Sequence, residues 1–247
     1  MNPRSAFLLL AAAALLGACG GGKGAAHIVV ATEAAYPPME SKAPDGTIVG
    51  FDPDLVRAIC REEGLTVEFV DQVFVGILPG LSQGKYDAVA SSLTITEERA
   101  KVVDFSDPYY DAGQVVAVLA KNAAIRGLED LEGKTIAVQQ NTTGHRAAEK
   151  VKGATVKDFG EIDPAFLELL AGRADAVIND EPPTRLYMKS HPEIRIAGKT
   201  FTEEKYGIAV RKGHADLLAK LNEGLRKVKA SGEYDRLVQQ WIGDAGR

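Results

Sequence analysis

Along the chain, apolar positions switch between short unbroken runs and a helical spacing, which predicts alternating strands and helices. Ile28 to Ala31 read as a first strand, followed by a loop from Thr32 to Glu40 that Pro37 and Pro38 break. A helix is expected to open at Asp52-Pro53, with Asp52 as its cap and Pro53 in the first turn. Leu55, Val56, Ile59 and Cys60 supply its apolar stripe, and Gly64 ends it. Thr66 to Val70 alternate as a strand, and a helix from Phe74 to Ser82 and a strand from Tyr86 to Ala90 follow. That order, β-α-β-α-β, predicts a parallel sheet.

Val102 to Phe105 lead through Ser106-Asp107-Pro108-Tyr109-Tyr110 to an apolar strand from Val115 to Leu119, where a second α/β series begins. It has strands at Thr135–Gln139 and Ala174–Ile178, and a polar turn, Asn141-Thr142-Thr143-Gly144, opening a helix from about His145 to Val151. Asp163-Pro164 is expected to cap a helix as Asp52-Pro53 does. Helix 182–190 and strand 206–210 come next. Two helices, 215–230 and 232–241, close the chain with Ser231 as a cap between them.

One phrase occurs twice. Gly84-Lys85-Tyr86-Asp87-Ala88-Val89 and Gly172-Arg173-Ala174-Asp175-Ala176-Val177 each follow an apolar helix and run into small polar residues. These are Ser91, Ser92 and Thr94 after the first copy, and Asn179 and Asp180 after the second. Ligands of open α/β sheets bind beyond the carboxyl ends of strands. Two copies therefore predict two similar lobes, each offering a polar loop to something held between them.

The chain has 247 residues, 45% hydrophobic and 26% charged, which leaves room for two small domains of ordinary globular composition. A net charge of −5 without long blocks of one sign gives no reason to expect nucleic acid as a partner. His27, His145, His191 and His214 are scattered, and the two cysteines make neither a metal-ligand spacing nor a disulfide framework, so no cofactor or metal is expected. Cys60 lies on an apolar helix face and is expected to be a buried free thiol.

Residues 1–18 have a weakly positive start at Arg4 and an apolar run from Phe7 to Leu16, too short to span a membrane and suited to a secretory signal. Leu16-Gly17-Ala18-Cys19 resembles a bacterial lipobox, which would make Cys19 the acylated mature N-terminus and 19–26 a glycine-rich tether. The alternative is an ordinary cleaved signal with an incidental cysteine. The expected location is the extracytoplasmic face of the cell envelope, with the membrane reached through the lipid alone.

The whole pattern from His27 to Trp241 resembles the polar amino acid-binding proteins of ABC importers, a family of extracellular solute-binding proteins. Carrying that resemblance are Gly50-Phe51-Asp52-Pro53-Asp54-Leu55, Ser91 to Arg99, Val103 to Tyr109, and Ala174 to Asp180. Pro53 departs from the usual aliphatic residue. The resemblance implies a two-lobe periplasmic-binding-protein (type II) α/β fold with lobe 1 at 27–108 and 210–247 and lobe 2 at 114–204. The hinge crossings would be 109–113 and 205–209. It also implies a monomer that closes on a polar L-amino acid and delivers it to permease subunits.

By the same resemblance, Arg99 clamps the ligand carboxylate and Thr94, with backbone amides near Ser92 and Thr143, completes the cradle. A guanidinium fork suits a carboxylate in a way lysine cannot copy. Read from spacing alone, Arg99 better fits a surface ion pair with Glu97 or Glu98, and the resemblance reverses that preference. Asp180 matches the residue that receives the ammonium, with helix capping before Pro182-Pro183 as the alternative. Tyr36 and Phe74 match an aromatic pair around the ligand side chain, and Glu33 and Gln139 lie where its distal end would be. Ser91 and Asn179 complete the candidates. Arginine or lysine is the first expected ligand and glutamine the second. An enzyme of the cyclohexadienyl dehydratase type, on the same fold, is the alternative, since Glu33, Asp180 and Glu181 could supply an acid–base pair.

Overall fold

Two five-stranded sheets, each flanked by helices, organise the computed structural model, which describes residues 26–243. The predicted signal peptide, Cys19 and the tether up to residue 25 lie outside the described residues. Chain order in the first lobe is β1 (Ala26–Thr32), β2 (Ala35–Tyr36), β3 (Glu40–Lys42), β4 (Ile48–Val49), α1 (Phe51–Glu62), β5 (Leu65–Asp71), α2 (Phe74–Ser82), β6 (Ala88–Val89), α3 (Glu97–Ala100) and β7 (Val103–Phe105). β8 (Tyr110–Ala112) then leads into β9 (Gln114–Leu119), a short 3-10 turn (Leu128–Leu131), β10 (Thr135–Gln139), α4 (Thr143–Glu149), β11 (Thr155–Phe159), α5 (Ile162–Leu170), β12 (Ala176–Asp180), α6 (Glu181–Ser190) and β13 (Ile194–Ala197). β14 (Glu204–Tyr206) returns to the first lobe, which β15 (Ala209–Arg211), α7 (Ala215–Ala230) and α8 (Glu233–Trp241) complete.

The sheets run β5-β1-β6-β15-β7 and β11-β10-β12-β9-β13. In each, three strands are parallel and the fourth, β15 or β9, is antiparallel to both neighbours. The repeated phrase supplies the third strand of each. Its aspartate does one job twice: the Asp87 carboxylate accepts the Val29 N–H at 2.8 Å, and the Asp175 carboxylate accepts the Thr135 N–H at 2.8 Å. The first ties down the middle of β1 and the second the start of β10. β8 and β14 pair antiparallel where the chain passes between the lobes.

Three expectations need correction. The cap of α1 is Gly50, not Asp52; Asp52 lies inside the first turn, fully buried, because its carboxylate is wanted elsewhere. It accepts the Ser92 N–H at 2.7 Å and the Tyr109 hydroxyl at 2.5 Å. The helix at Asp163 starts one residue earlier behind Glu161, without a side-chain cap. Gly232, in a left-handed conformation, caps α8, while Ser231 ends α7 and its hydroxyl accepts the Glu233 N–H at 3.3 Å. Cys60 is a buried free thiol, as its place on the apolar stripe requires.

Candidate functional site

The strand ends of both lobes meet around a narrow, largely closed cavity. Every predicted site residue except Asn179 lines it. Asn179 stands behind: its Oδ1 lies 2.8 Å from the Tyr36 hydroxyl and shares that proton with Asp180, and its Nδ2 donates to Thr184 Oγ1 at 3.2 Å. Ser91 is almost wholly buried at the lining and works mainly on the backbone, accepting the Glu33 N–H at 2.9 Å.

Arg99 comes from α3, a helix of one turn that Thr96 caps by accepting the Arg99 N–H at 3.2 Å. The guanidinium is 7% exposed. It donates to two carbonyls, Thr94 O at 2.8 Å in its own lobe and Asn141 O at 3.2 Å across the cleft. It also lies over the Phe74 ring, 5.5 Å from the centroid. The surface pair with Glu98 does not form, because Glu98 is taken by a forked contact from Arg146 of the second lobe. Burial lowers the Arg99 pKa somewhat, against the opposing pull of Asp180 and Glu204.

Asp180, at the carboxyl end of β12, accepts the Tyr36 hydroxyl at 2.7 Å and the Gln114 amide. Burial, followed by the negative charge of Glu204, pushes its pKa up to about 7. At the other end of the cavity, Glu33 accepts the Phe74 N–H at 3.0 Å and the Gln139 amide at 2.6 Å, and burial raises its pKa as well. Tyr36–Asp180 and Glu33–Gln139 are bonds between lobes.

Two groups of the expected carboxylate cradle are engaged within the protein. The Ser92 N–H is committed to Asp52, which holds Ser92 in a left-handed conformation, φ 47°. The Thr94 hydroxyl donates to Glu204 at 2.8 Å, so its proton is not offered to the cavity. Residues that local pattern did not single out are Glu40, Gln114, Thr142 and Glu204. Glu40 is 1% exposed below Ser91 and Ser92, whose hydroxyls reach it at 3.4 Å. Burial, then Asp52 and Glu33, hold its pKa well above the carboxylate range, and burial lifts Asp52 to about 6. The cavity lining thus carries three buried carboxyl groups, Glu33, Glu40 and Asp180, and the Arg99 guanidinium, with Asp52 and Glu204 bonded to lining residues behind. Among the described residues no metal-binding cluster is present and no helix is long and apolar enough to cross a membrane.

Comparison with known proteins identifies the family and the fold. The profile of bacterial extracellular solute-binding proteins, family 3, matches residues 28–244. ABC transporter arginine-binding protein 1 of Escherichia coli (strain K12) is 36% identical over 241 residues, covering 95% of this chain and 98% of that protein. Among solved structures, an ancestral arginine-binding protein bound to arginine superposes with TM-score 0.85 at 45% identity, over 89% of this chain and 100% of the other. An ancestral arginine-binding protein bound to glutamine gives TM-score 0.81, also at 45% identity, over 88% and 98%.

Proposed function

The chain belongs to the bacterial extracellular solute-binding proteins, family 3, and from that premise we propose that it captures a polar L-amino acid between its lobes. Arginine or lysine comes first and glutamine second, and the cargo passes to the permease of an ABC importer. One observation carries this reading: the buried Arg99 guanidinium has carbonyl partners and no carboxylate, while Asp180 faces it across the same cavity. A ligand bearing both a carboxylate and an ammonium satisfies both groups. Glu33 at the far end of the cavity favours a cationic side chain. The named relatives are transport-binding proteins, which favours binding over the dehydratase alternative.

Closure about 109–113 and 205–209 would bring Gln139, Thr143 and Asp180 of lobe 2 onto a ligand first bound by lobe 1. The differential contacts of the closed form supply the free energy of the shift. The mature protein is a monomer held at the extracytoplasmic face by lipid on Cys19; Cys19→Ala should release it from the membrane fraction.

Calorimetry of the purified protein against the twenty amino acids tests the ligand class. Tight binding to acidic or aliphatic amino acids alone would reject it. Arg99→Ala should weaken every ligand by about 2–5 kcal/mol, roughly thirtyfold to several thousandfold. Unchanged affinity with the fold intact by circular dichroism would reject the site.

A further inference from the structure

Glu204 belongs to β14, in the ribbon that links the lobes, yet its carboxylate, 9% exposed, reaches both of them. Its Oε2 accepts the Thr94 hydroxyl of the first lobe at 2.8 Å and the Thr143 hydroxyl of the second at 2.8 Å. Thr202 donates to Oε1 at 3.1 Å. A hydroxyl has one proton and two lone pairs. With both protons given to Glu204, neither threonine can donate to a carboxylate in the cavity. Thr143 further accepts the Gln114 amide at 3.1 Å, which leaves it one lone pair, while Thr94 keeps two. Both oxygens can then only accept, and acceptors suit an ammonium.

On the reading that the cavity takes an α-amino acid, we propose that Glu204 is a positioning residue that fixes the hydrogen-bond polarity of the pocket for the α-amino group. It turns the Thr94 and Thr143 oxygens into acceptors and sets a second negative charge beside Asp180. The carboxylate of the ligand is left to Arg99. Because one oxygen holds a hydroxyl from each lobe, this polarity is complete only when the lobes are together, so the hinge strand itself registers closure.

Charge supports the geometry. Facing Asp180 are Glu204 and Tyr206 from β14, Tyr36 from β2, Gln114 from β9 and Arg99 from α3. Glu204 is the neighbour that raises the Asp180 pKa most after burial. Ligand ammonium requires ionised Asp180, so affinity falls as pH drops through about 7. Removing the Glu204 charge moves this fall to lower pH.

The test is the dissociation constant of L-arginine and of L-glutamine across pH for the full-length wild type, Glu204→Gln and Thr143→Val. Glutamine guards against Glu33, whose titration bears on a cationic side chain, and Glu40 and Asp52 are common to all three proteins. Glu204→Gln is expected to weaken both ligands about tenfold or more on the alkaline plateau and to shift the acid limb downward for both. Thr143→Val, which keeps the Glu204 charge and removes one acceptor oxygen, is expected to weaken both ligands without moving the limb downward, and it decides the matter if Glu204→Gln does not fold. Unchanged plateaus and limbs in the folded variants overturn the proposal. Absence of amino-acid binding by the wild type overturns the parent reading instead.

Discussion

Arg99 was recognisable at the level of residues only through the family resemblance, since an arginine beside Glu97 and Glu98 better fits a surface ion pair. Burial decides the matter, and burial is a tertiary property. The same holds more strongly for Glu40 and Glu204, which look like solvated loop acids until the fold encloses them. Glu33 was legible by position, and its geometry invites a specificity test. Glu33→Gln can still accept the Phe74 N–H but offers no charge. The preference for arginine over glutamine should fall by about 1.5–3 kcal/mol, the range for hydrogen bonds to charged groups, as read by calorimetry with both ligands. Equal losses for the two would show that Glu33 only shapes the pocket. The raised acids also give a pH signature. A carboxyl whose folded pKa is raised penalises the fold when ionised, a penalty absent near the ordinary range of about 4 and complete above the raised value. With Asp52 at about 6 and Asp180 at about 7, the ligand-free protein should melt higher as pH falls from about 8 to about 5. The stabilisation given by arginine should shrink over the same interval. Thermal melts with and without arginine measure both trends.

Elements with a strong apolar stripe or run, such as α1, α7, β9 and β10, were predicted within a few residues. Among those missed were β2 to β4, β11 and β13. β11 and β13 are the edge strands of the second sheet, and β2 to β4 form a small sheet inside a proline-broken loop, so each buries too little to impose a clean period. Helix starts failed at Asp52 because the carboxylate serves Ser92 and Tyr109 rather than its own helix. Packing between α1 and α7 offers a test at this scale. A Cβ on Gly224 would lie 2.8 Å from Ile59 Cγ2 and 2.9 Å from the Ile59 carbonyl oxygen. Alanine gains about 1 kcal/mol of helix propensity over glycine. Overpacking against a backbone carbonyl costs about 1–3 kcal/mol, so the clash wins. Gly224→Ala should lower the melting temperature by a few degrees while leaving ligand affinity intact. A raised melting temperature would mean that the two helices part easily.

For the molecule as a whole, the twofold α/β organisation was readable from the repeated phrase, while the bonds between lobes were not, because they join residues far apart in sequence. The forked Glu98–Arg146 contact at the cleft rim is exposed, so it is worth only about 0.2–1 kcal/mol. Glu98→Gln or Arg146→Gln should speed ligand release up to about fivefold at low ionic strength in stopped-flow measurements. The effect should vanish near 1 M salt, where the Debye length is about 3 Å. Exchanging the charges, Glu98→Arg with Arg146→Glu, should restore the slow rate. The strand order has a consequence of a different kind. β15 sits between β6 and β7, and β7 has no other neighbour in its sheet. The second lobe's sheet is drawn from one uninterrupted stretch, Gln114 to Ala197. A chain emerging from the ribosome or through a membrane pore, amino end first, can therefore finish the second lobe while the first still waits for its closing strand. In pulsed hydrogen exchange during refolding, the amides of β10 and β12 should gain protection before those of β1 and β6. The half of the molecule that is made first is the half completed last, and until residue 211 has emerged it presents two unsatisfied sheet edges, the ones a chaperone in the secretion path would have to shield.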